Sequence, residues 1–333
     1  MNKHLVIAFF LFICFFFSII SCTEEAAESK RKIFESVRDT TVIKDPDYFF
    51  FVGNGGTYTG IYKYDFTNDS YGIFWSARNE IVVKLLYSND LQYIYFLTAR
   101  SFGIRNGISY ISNLKLYRLI TDKSLVEFVA DIGDAIQIYT YWEGIDFRIQ
   151  FTSFDLRVAT YINRTNQIYS PFGKLIQQTV NVFDFIKNGY PGFEIPGSSS
   201  KSPSGRSGFI QKEDSLFFES IPSKKRYFVD TVKASINKIV WNGNEHYTFI
   251  STSSENANEN EAGSVLIAYN IVDNKLEHEW TSEAKINFFN TETYLIFDLV
   301  NEGKSSVNIY NYKKAIDLKK VTLRNGCGVT GIP

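Results

Sequence analysis

One short pattern recurs along this chain and constrains its fold more than any other feature. It consists of a strand rich in aromatic residues, a tight polar turn and a second strand. A unit that returns roughly every 40 to 55 residues indicates one supersecondary structure used several times. The last residue of the first strand marks each copy, at Asp65, Leu119, Asn163, Glu219, Asn270 and Asn311.

The composition favours β structure along the whole chain. The 333 residues include 30 Phe and 21 Tyr, and aromatic and β-branched residues suit half-buried pleated surfaces. Ile136, Ile138 and Thr140 alternate with Tyr139 and Tyr141, as the two faces of a strand require. Because no stretch after residue 40 keeps a 3.6-residue apolar period over a dozen positions, we predict an all-β fold.

Units of four short strands resemble the blades of the β-propeller group, which includes WD40-like and TolB-like sheets and envelope lipoproteins. The resemblance is generic, because the Gly-His and Trp-Asp pairs of WD40 repeats are missing from this sequence. It implies a β-propeller over residues 41–333 with six four-stranded blades; seven blades or a β-sandwich are alternatives. A propeller must close its ring to pair its strand edges. We expect residues 41–44 to complete the blade that ends near residues 321–323.

The longest insertions fall between the second and third strands of the predicted blades, at residues 100–112 and 251–263. In a propeller these loops emerge at one end together with the connections between blades, and such grouped insertions often form the binding surface. Residues 189–208 are rich in Gly, Ser and Pro, which predicts a flexible loop. Tyr190 and Phe193 are its candidate binding residues.

The N-terminus predicts export and attachment to a membrane. Lys3 precedes a 16-residue apolar run, residues 5–20, and then Ser21 and Cys22, which is typical of a signal peptide. The run is shorter than the ~18 to 20 residues that span a bilayer. Residues 19–22 resemble a loose bacterial lipobox of the spirochaete or Bacteroidota kind. The resemblance implies cleavage after Ser21, lipid on Cys22 and a polar tether over residues 22–40; an ordinary cleaved signal and an uncleaved anchor are alternatives.

Charge and cysteine usage limit the partners and cofactors. With 35 basic and 36 acidic side chains, the chain lacks the basic excess of nucleic-acid-binding proteins. Cys327 is the one cysteine left after cleavage and lipidation, so no disulfide framework is expected, and we interpret it as a small residue in a C-terminal turn. His246 and His278 lie far from other metal-ligand residues of useful spacing. We therefore expect no metal and no cofactor.

Carboxylates are the candidate catalytic groups. Glu143, Asp146 and Asp155 lie around Trp142 in the third unit, and paired carboxylates can cleave glycosidic bonds. The alternative interpretation is that Glu143 and Asp146 are solvated residues of a tight turn.

Two functions follow from these features. The first is a non-enzymatic binding or scaffold lipoprotein of the bacterial envelope, at the outer membrane or cell surface, with a protein, peptide or glycan partner. The second is a propeller hydrolase or lyase acting on a glycan or lactone through channel carboxylates.

Overall fold

Short antiparallel strands build all of the chain that the structure describes. The computed structural model describes residues 45–56, 59–88, 90–105, 108–121, 123, 125–154, 161–184, 200–231, 235–253 and 263–331. These residues contain strands and turns and no α-helix, and they belong to one compact unit, residues 42–333. The prediction of an all-β fold is confirmed for this part of the chain.

The described strands form six sheets, which follow one another along the chain. Sheet 1 contains β1 (Tyr48–Asn54), β2 (Thr59–Asp65), β3 (Ser70–Ser76) and β24 (Cys327–Gly328), in the order β24-β1-β2-β3. Sheet 2 contains β4 (Ile81–Tyr87), β5 (Ile94–Ala99), β6 (Ser101–Arg105), β7 (Ile108–Ile120) and β8 (Leu125–Ala135), with both β6 and β8 paired to β7. Sheet 3 contains β9 (Gln137–Glu143), β10 (Asp146–Phe154), β11 (Tyr161–Tyr169) and β12 (Leu175–Asp184), in chain order.

The other three sheets repeat this arrangement. Sheet 4 contains β13 (Ser207–Lys212), β14 (Ser215–Ser220) and β15 (Lys225–Thr231). Sheet 5 contains β16 (Ser235–Trp241), β17 (Tyr247–Ser253), β18 (Ser264–Asn270) and β19 (Lys275–Ser282). Sheet 6 contains β20 (Phe288–Asn290), β21 (Tyr294–Asn301), β22 (Lys304–Asn311) and β23 (Ile316–Thr322).

The prediction of uniform four-stranded units needs two corrections. Sheet 2 has a fifth strand, β6, because residues 100–112 fold back as a hairpin rather than leaving the sheet as a loop. In its described residues sheet 4 has three strands, and a single bridge between Lys201 and Gly208 stands where a fourth would pair.

The recurring turn has one geometry in several sheets. Its last residue takes a positive φ in four copies, at Asp69 (45°), Lys224 (54°), Asn274 (49°) and Ala315 (53°). The residue that ends the preceding strand holds the turn from its side chain in three of the six marked copies. Asp65 accepts from the amide of Thr67 at 2.8 Å, and Asn270 and Asn311 accept in the same way.

One predicted turn was wrong. The sequence pattern placed a turn at residues 164–166, but β11 continues through them and pairs with β12. The chain reverses later, at residues 170–173, where Gly173 takes a φ of +85° and Pro171 fixes the backbone.

The core lies between consecutive sheets. Separate clusters of buried Phe, Tyr, Leu, Ile and Val join sheets 1 and 2, sheets 2 and 3, sheets 4 and 5, sheets 5 and 6, and sheets 6 and 1. The last pairing is informative, because sheets 6 and 1 lie at opposite ends of the chain. β24 also pairs with β1, so the C-terminal residues complete the first sheet. Residues 41–44, which we expected in the last blade, lie outside the described residues.

First strands of distant sheets also meet. The ring of Tyr87 in β4 lies 4.7 Å from that of Phe289 in β20, although sheet 1 packs between their sheets. The first strands of sheets 2 and 6 therefore approach each other.

Candidate functional site

A cleft of about 550 Å³ opens where sheets 1 and 2 place their loops together. Its wall contains Thr59 at the start of β2, residues 77–80 from the connection between the sheets with Ile81 at the start of β4, and Arg100 and Ser101 from the start of the 100–112 insertion. The second-to-third-strand loops and the inter-sheet connection thus share one end of these two sheets. We call this region the insertion end.

The cleft carries excess positive charge. Glu80 is engaged, since it accepts hydrogen bonds from Lys115 and, at 2.7 Å, from Thr98. Burial favours its neutral form, but these two hydrogen bonds outweigh burial and hold the pKa of Glu80 below its ordinary value. Arg78 and Arg100 are exposed, and neither forms an ion pair with another described residue. Their guanidinium groups are available to a ligand.

A hairpin formed by β6 and the first part of β7 stands beside the cleft, and one of its faces is anchored. Tyr110 packs over Gly103, where an added Cβ would lie 2.8 Å from the tyrosine ring. The Tyr110 ring also lies 6.1 Å from the ring of Phe154 in sheet 3. Arg105 lies over the same phenyl ring at 5.2 Å. These contacts fix the position of the hairpin.

The opposite face of the hairpin is apolar and open. Strand alternation turns Phe102 and Ile104 away from the anchored residues, and they remain 65% and 75% exposed. Single exposed apolar residues are common. Phe102 and Ile104 lie together on one face of a hairpin that is anchored by the other.

Two of the three predicted catalytic carboxylates flank a tight turn. Glu143 and Asp146 face each other across the β9–β10 turn, where Gly144 has a φ of +60°. Glu143 forms an ion pair with Arg148. Burial raises the pKa of Asp146, the Arg148 charge opposes the rise, and the Glu143 charge adds to it. Asp155 lies outside the described residues.

The indole of Trp142, half-buried, packs against the core rather than standing free. It packs on the rings of Tyr95 at 5.5 Å and Phe147 at 5.4 Å, within the cluster that joins sheets 2 and 3. The hypothesis that this indole and the neighbouring carboxylates form a glycan site therefore gains no support from its packing.

Four of the predicted site residues lie outside the described residues, namely Ser21, Cys22, Tyr190 and Phe193. Most of the predicted flexible loop lies outside them as well. Its last part, residues 200–208, is described, and there Ser204 donates from its backbone and its hydroxyl to Glu245 at 2.7 and 2.6 Å.

No group of three or more His, Cys, Asp and Glu side chains that could hold a metal occurs within the described ranges. Nor does any helix in that part of the chain have the length and apolar character to cross a membrane.

Sequence reasoning pointed to the insertion that begins at Arg100, but it missed Arg78, Phe102 and Ile104 as contact residues. The one signal in the sequence that residues 101–105 form a strand is the alternation of Phe102 and Ile104 with Gly103 and Arg105.

Comparisons with known proteins identify no family. No protein-family model matches the chain, and no curated protein sequence matches it. Among solved structures, TolB from Acinetobacter baumannii matches with a TM-score of 0.43 and 7% identity, over 85% of this chain and 66% of that one. A nidogen/laminin complex matches with a TM-score of 0.40 and 10% identity, over 83% of this chain and 93% of that one.

A putative 6-phosphogluconolactonase from Bacteroides fragilis NCTC 9343 matches with a TM-score of 0.41 and 12% identity, over 84% of this chain and 97% of that one. TM-scores this low carry no argument about what the present chain does.

Proposed function

We propose that this chain is a lipid-anchored binding protein of the bacterial envelope that contacts a protein partner through the insertion end. The observation that carries the proposal is the β6–β7 hairpin, held on Phe154 by one face and exposing Phe102 and Ile104 on the other. A surface fixed before binding loses less conformational entropy on association.

The charge of the cleft and the apolar face of the hairpin indicate the chemistry of the partner. Arg78 and Arg100 line the cleft beside the hairpin, and guanidinium groups suit bidentate contacts with carboxylates. An extended segment with an apolar stretch and nearby Asp or Glu residues would match both features. The turn position of Glu143 and its ion pair with Arg148 favour binding over the alternative of hydrolysis by channel carboxylates.

The proposal includes the arrangement of the sheets as a six-bladed propeller. It is supported by four clusters that join sheets consecutive in the chain, by the cluster that packs sheet 6 on sheet 1, and by the Tyr87–Phe289 contact. In that arrangement the other second-to-third-strand loops would join the insertion end.

Photocrosslinking in cells tests the binding surface. A benzoylphenylalanine replaces Phe102 or Ile104, and the matched control replaces Leu318, which is 44% exposed on β23 of sheet 6. We expect a discrete crosslinked protein from positions 102 and 104, reduced by Arg78→Glu together with Arg100→Glu. Equal crosslinking from position 318, or none from the hairpin, would reject the proposal.

Lipid attachment is tested separately, by growing cells with a radioactive fatty acid. The chain should carry the label, and Cys22→Ser should lose it. Protease treatment of intact cells then locates the domain: digestion places it at the cell surface, and protection places it in the periplasm.

A further inference from the structure

Three lysines lie in or beside the first strands of three sheets, two of which approach each other at the Tyr87–Phe289 contact. Lys84 lies in β4 of sheet 2, Lys238 lies in β16 of sheet 5, and Lys285 lies in the connection that leads to β20 of sheet 6. We call these residues the interior lysines. Their charges act on one another, since the Lys285 ammonium group lowers the pKa of both other lysines.

Local backbone geometry places two of them in the same way. Each is the fourth residue of the first strand of its sheet, and each directly follows an irregularity in the pairing with the second strand. The register shifts between Val82 and Lys84 in β4, and between Ile236 and Lys238 in β16. A β-bulge re-aims a side chain, and bulges are frequent next to functional sites.

Aromatic and backbone groups surround the ammonium groups. Lys238 Nζ donates to the carbonyl oxygen of Phe288 at 3.0 Å and lies 4.6 Å from the centre of the Phe288 ring. Lys84 Nζ lies 5.9 Å from the centre of the Tyr139 ring. Such contacts attract a cation but do not neutralise it.

No carboxylate balances this charge among the described residues. None of the interior lysines forms an ion pair there, and the one charge that perturbs Lys84 or Lys238 is another lysine. Desolvation is the larger cause for both, and it lowers the pKa of Lys238 to about 8. Like charges that act on one another are unfavourable unless an opposite charge joins them.

The site remains open to a ligand. The side chains of Lys238 and Lys285 are exposed and that of Lys84 is half-buried.

We infer that the interior lysines form a binding site for a compact oxyanion with two or more negative charges, of the phosphate class, either free or as a monoester. Lysine is a point-charge phosphate ligand that approaches from several directions, so three of them can surround one group without a fixed fork geometry. The site contains none of the residues of the insertion end, so its test is separate from the test of the proposed binding surface.

Calorimetric titration of the protein tests the site. The ligands are inorganic phosphate and phenyl phosphate, with phenol as the uncharged control. We expect one-to-one binding of a phosphate compound and none of phenol. Tighter binding of phenyl phosphate would assign the site to a monoester, and equal or weaker binding would assign it to free phosphate. Absence of binding by both anions would overturn the inference.

Matched variants separate a ligand site from a structural one. Lys84→Met with Lys238→Met should weaken anion binding more than tenfold, whereas Lys320→Met, which removes one charge from exposed β23, should leave it unchanged. Without ligand, Lys238→Met should raise the melting temperature, because it relieves the repulsion between the lysines. Phosphate should raise the melting temperature of the unmodified protein but not that of this variant. Unchanged affinity in the double variant would overturn the inference.

Lysine labelling of the unmodified protein keeps the test independent of how the variants fold. An acetylating reagent at pH 8 should modify Lys84, Lys238 and Lys285 at least threefold more slowly when phosphate is saturating, as read by mass spectrometry. Lys320 should react at the same rate in both conditions. Interior-lysine rates that do not respond to the anion would contradict the proposed site.

Discussion

A single buried carboxylate connects three parts of the chain. Asp298 in β21 accepts hydrogen bonds from the backbone amide of Asn287 at 2.7 Å and from that of Val329 at 2.9 Å. It thereby ties the connection before β20 and the C-terminal segment to the centre of sheet 6. Burial raises the pKa of Asp298 to about 6, although these hydrogen bonds oppose the rise.

This raised pKa predicts how stability depends on pH. Between the ordinary pKa of 3.8 and about 6, the folded state holds a proton that the unfolded state releases. The contribution of Asp298 to the free energy of unfolding is therefore present at low pH and is lost as the pH rises through 6. Across this range the contribution amounts to about 3 kcal/mol.

The test compares urea unfolding of the unmodified protein with that of Asp298→Asn at pH 5 and at pH 7.5. The free energy of unfolding should fall more steeply with pH in the unmodified protein. Parallel profiles would show that Asp298 does not carry this dependence.

The thiol of Cys327 should be inert in the folded protein. It is fully buried, its amide donates to Ser305 Oγ at 2.9 Å, and burial raises the pKa of the thiol to about 11. Thiolate is the reactive form. In a Cys14→Ser, Cys22→Ser variant, we expect Ellman's reagent to react with Cys327 at pH 8 at least a hundredfold more slowly than in denaturant. Rapid reaction of the folded chain would contradict this burial.

At the scale of the element, the side chains that end the strands stabilise the recurring turn. Asn270 accepts from the amides of Val272 and Asp273 at 3.0 and 3.1 Å and donates to Asp273 and Glu277. Asn270→Ala should lower the free energy of unfolding by about 1 to 3 kcal/mol, because the side chain of buried Asn270 makes these four hydrogen bonds, each worth about 0.5 to 1.5 kcal/mol. Asn301→Ala, on an exposed strand end, should change it by less than about 0.5 kcal/mol. Equal effects, measured by chemical denaturation, would contradict a role of the turn.

The repeated hairpin could be read from the sequence because its signal is local. Asp65, Asn270 and Asn311 each end a strand and hold the following turn, so residue type and structure coincide. The turn expected after Asn163 was wrong because Arg164 and Asn166 are polar residues inside a ladder, not turn residues. Polarity alone does not separate a half-exposed strand from a turn.

The interior lysines were beyond sequence reasoning for a different reason. A bulge in the pairing of β4 or β16 depends on the partner strand, and it decides which way Lys84 and Lys238 point. Each lysine is unremarkable in its own segment. Their relation appears only when sheets 2, 5 and 6 are placed together.

At the scale of the whole molecule, the C-terminal strand β24 pairs with the first strand of sheet 1, and the sequence did not predict this pairing. β24 has two residues, too few for a strand pattern, and it joins sheet 1 from the C-terminal side. Cys327 and Val329 are fully buried in the cluster between sheets 6 and 1, where β24 fills the place beside β1. The C-terminal segment therefore belongs to the core, although its sequence reads as a turn.

Truncation tests how much this last segment holds the sheets together. A chain that ends at Arg324 loses the β1–β24 pairing, the buried Cys327 and Val329, and the amide that Asp298 accepts from. Burial of an aliphatic side chain contributes about 1.5 to 3 kcal/mol, and an orphaned buried polar group costs about 1 to 3 kcal/mol. The truncated chain should therefore unfold at a clearly lower denaturant concentration, while a chain that ends at Gly331 should match the full-length protein. If both truncated chains unfolded together with the full-length protein, the closing of sheet 1 by β24 would not stabilise the fold.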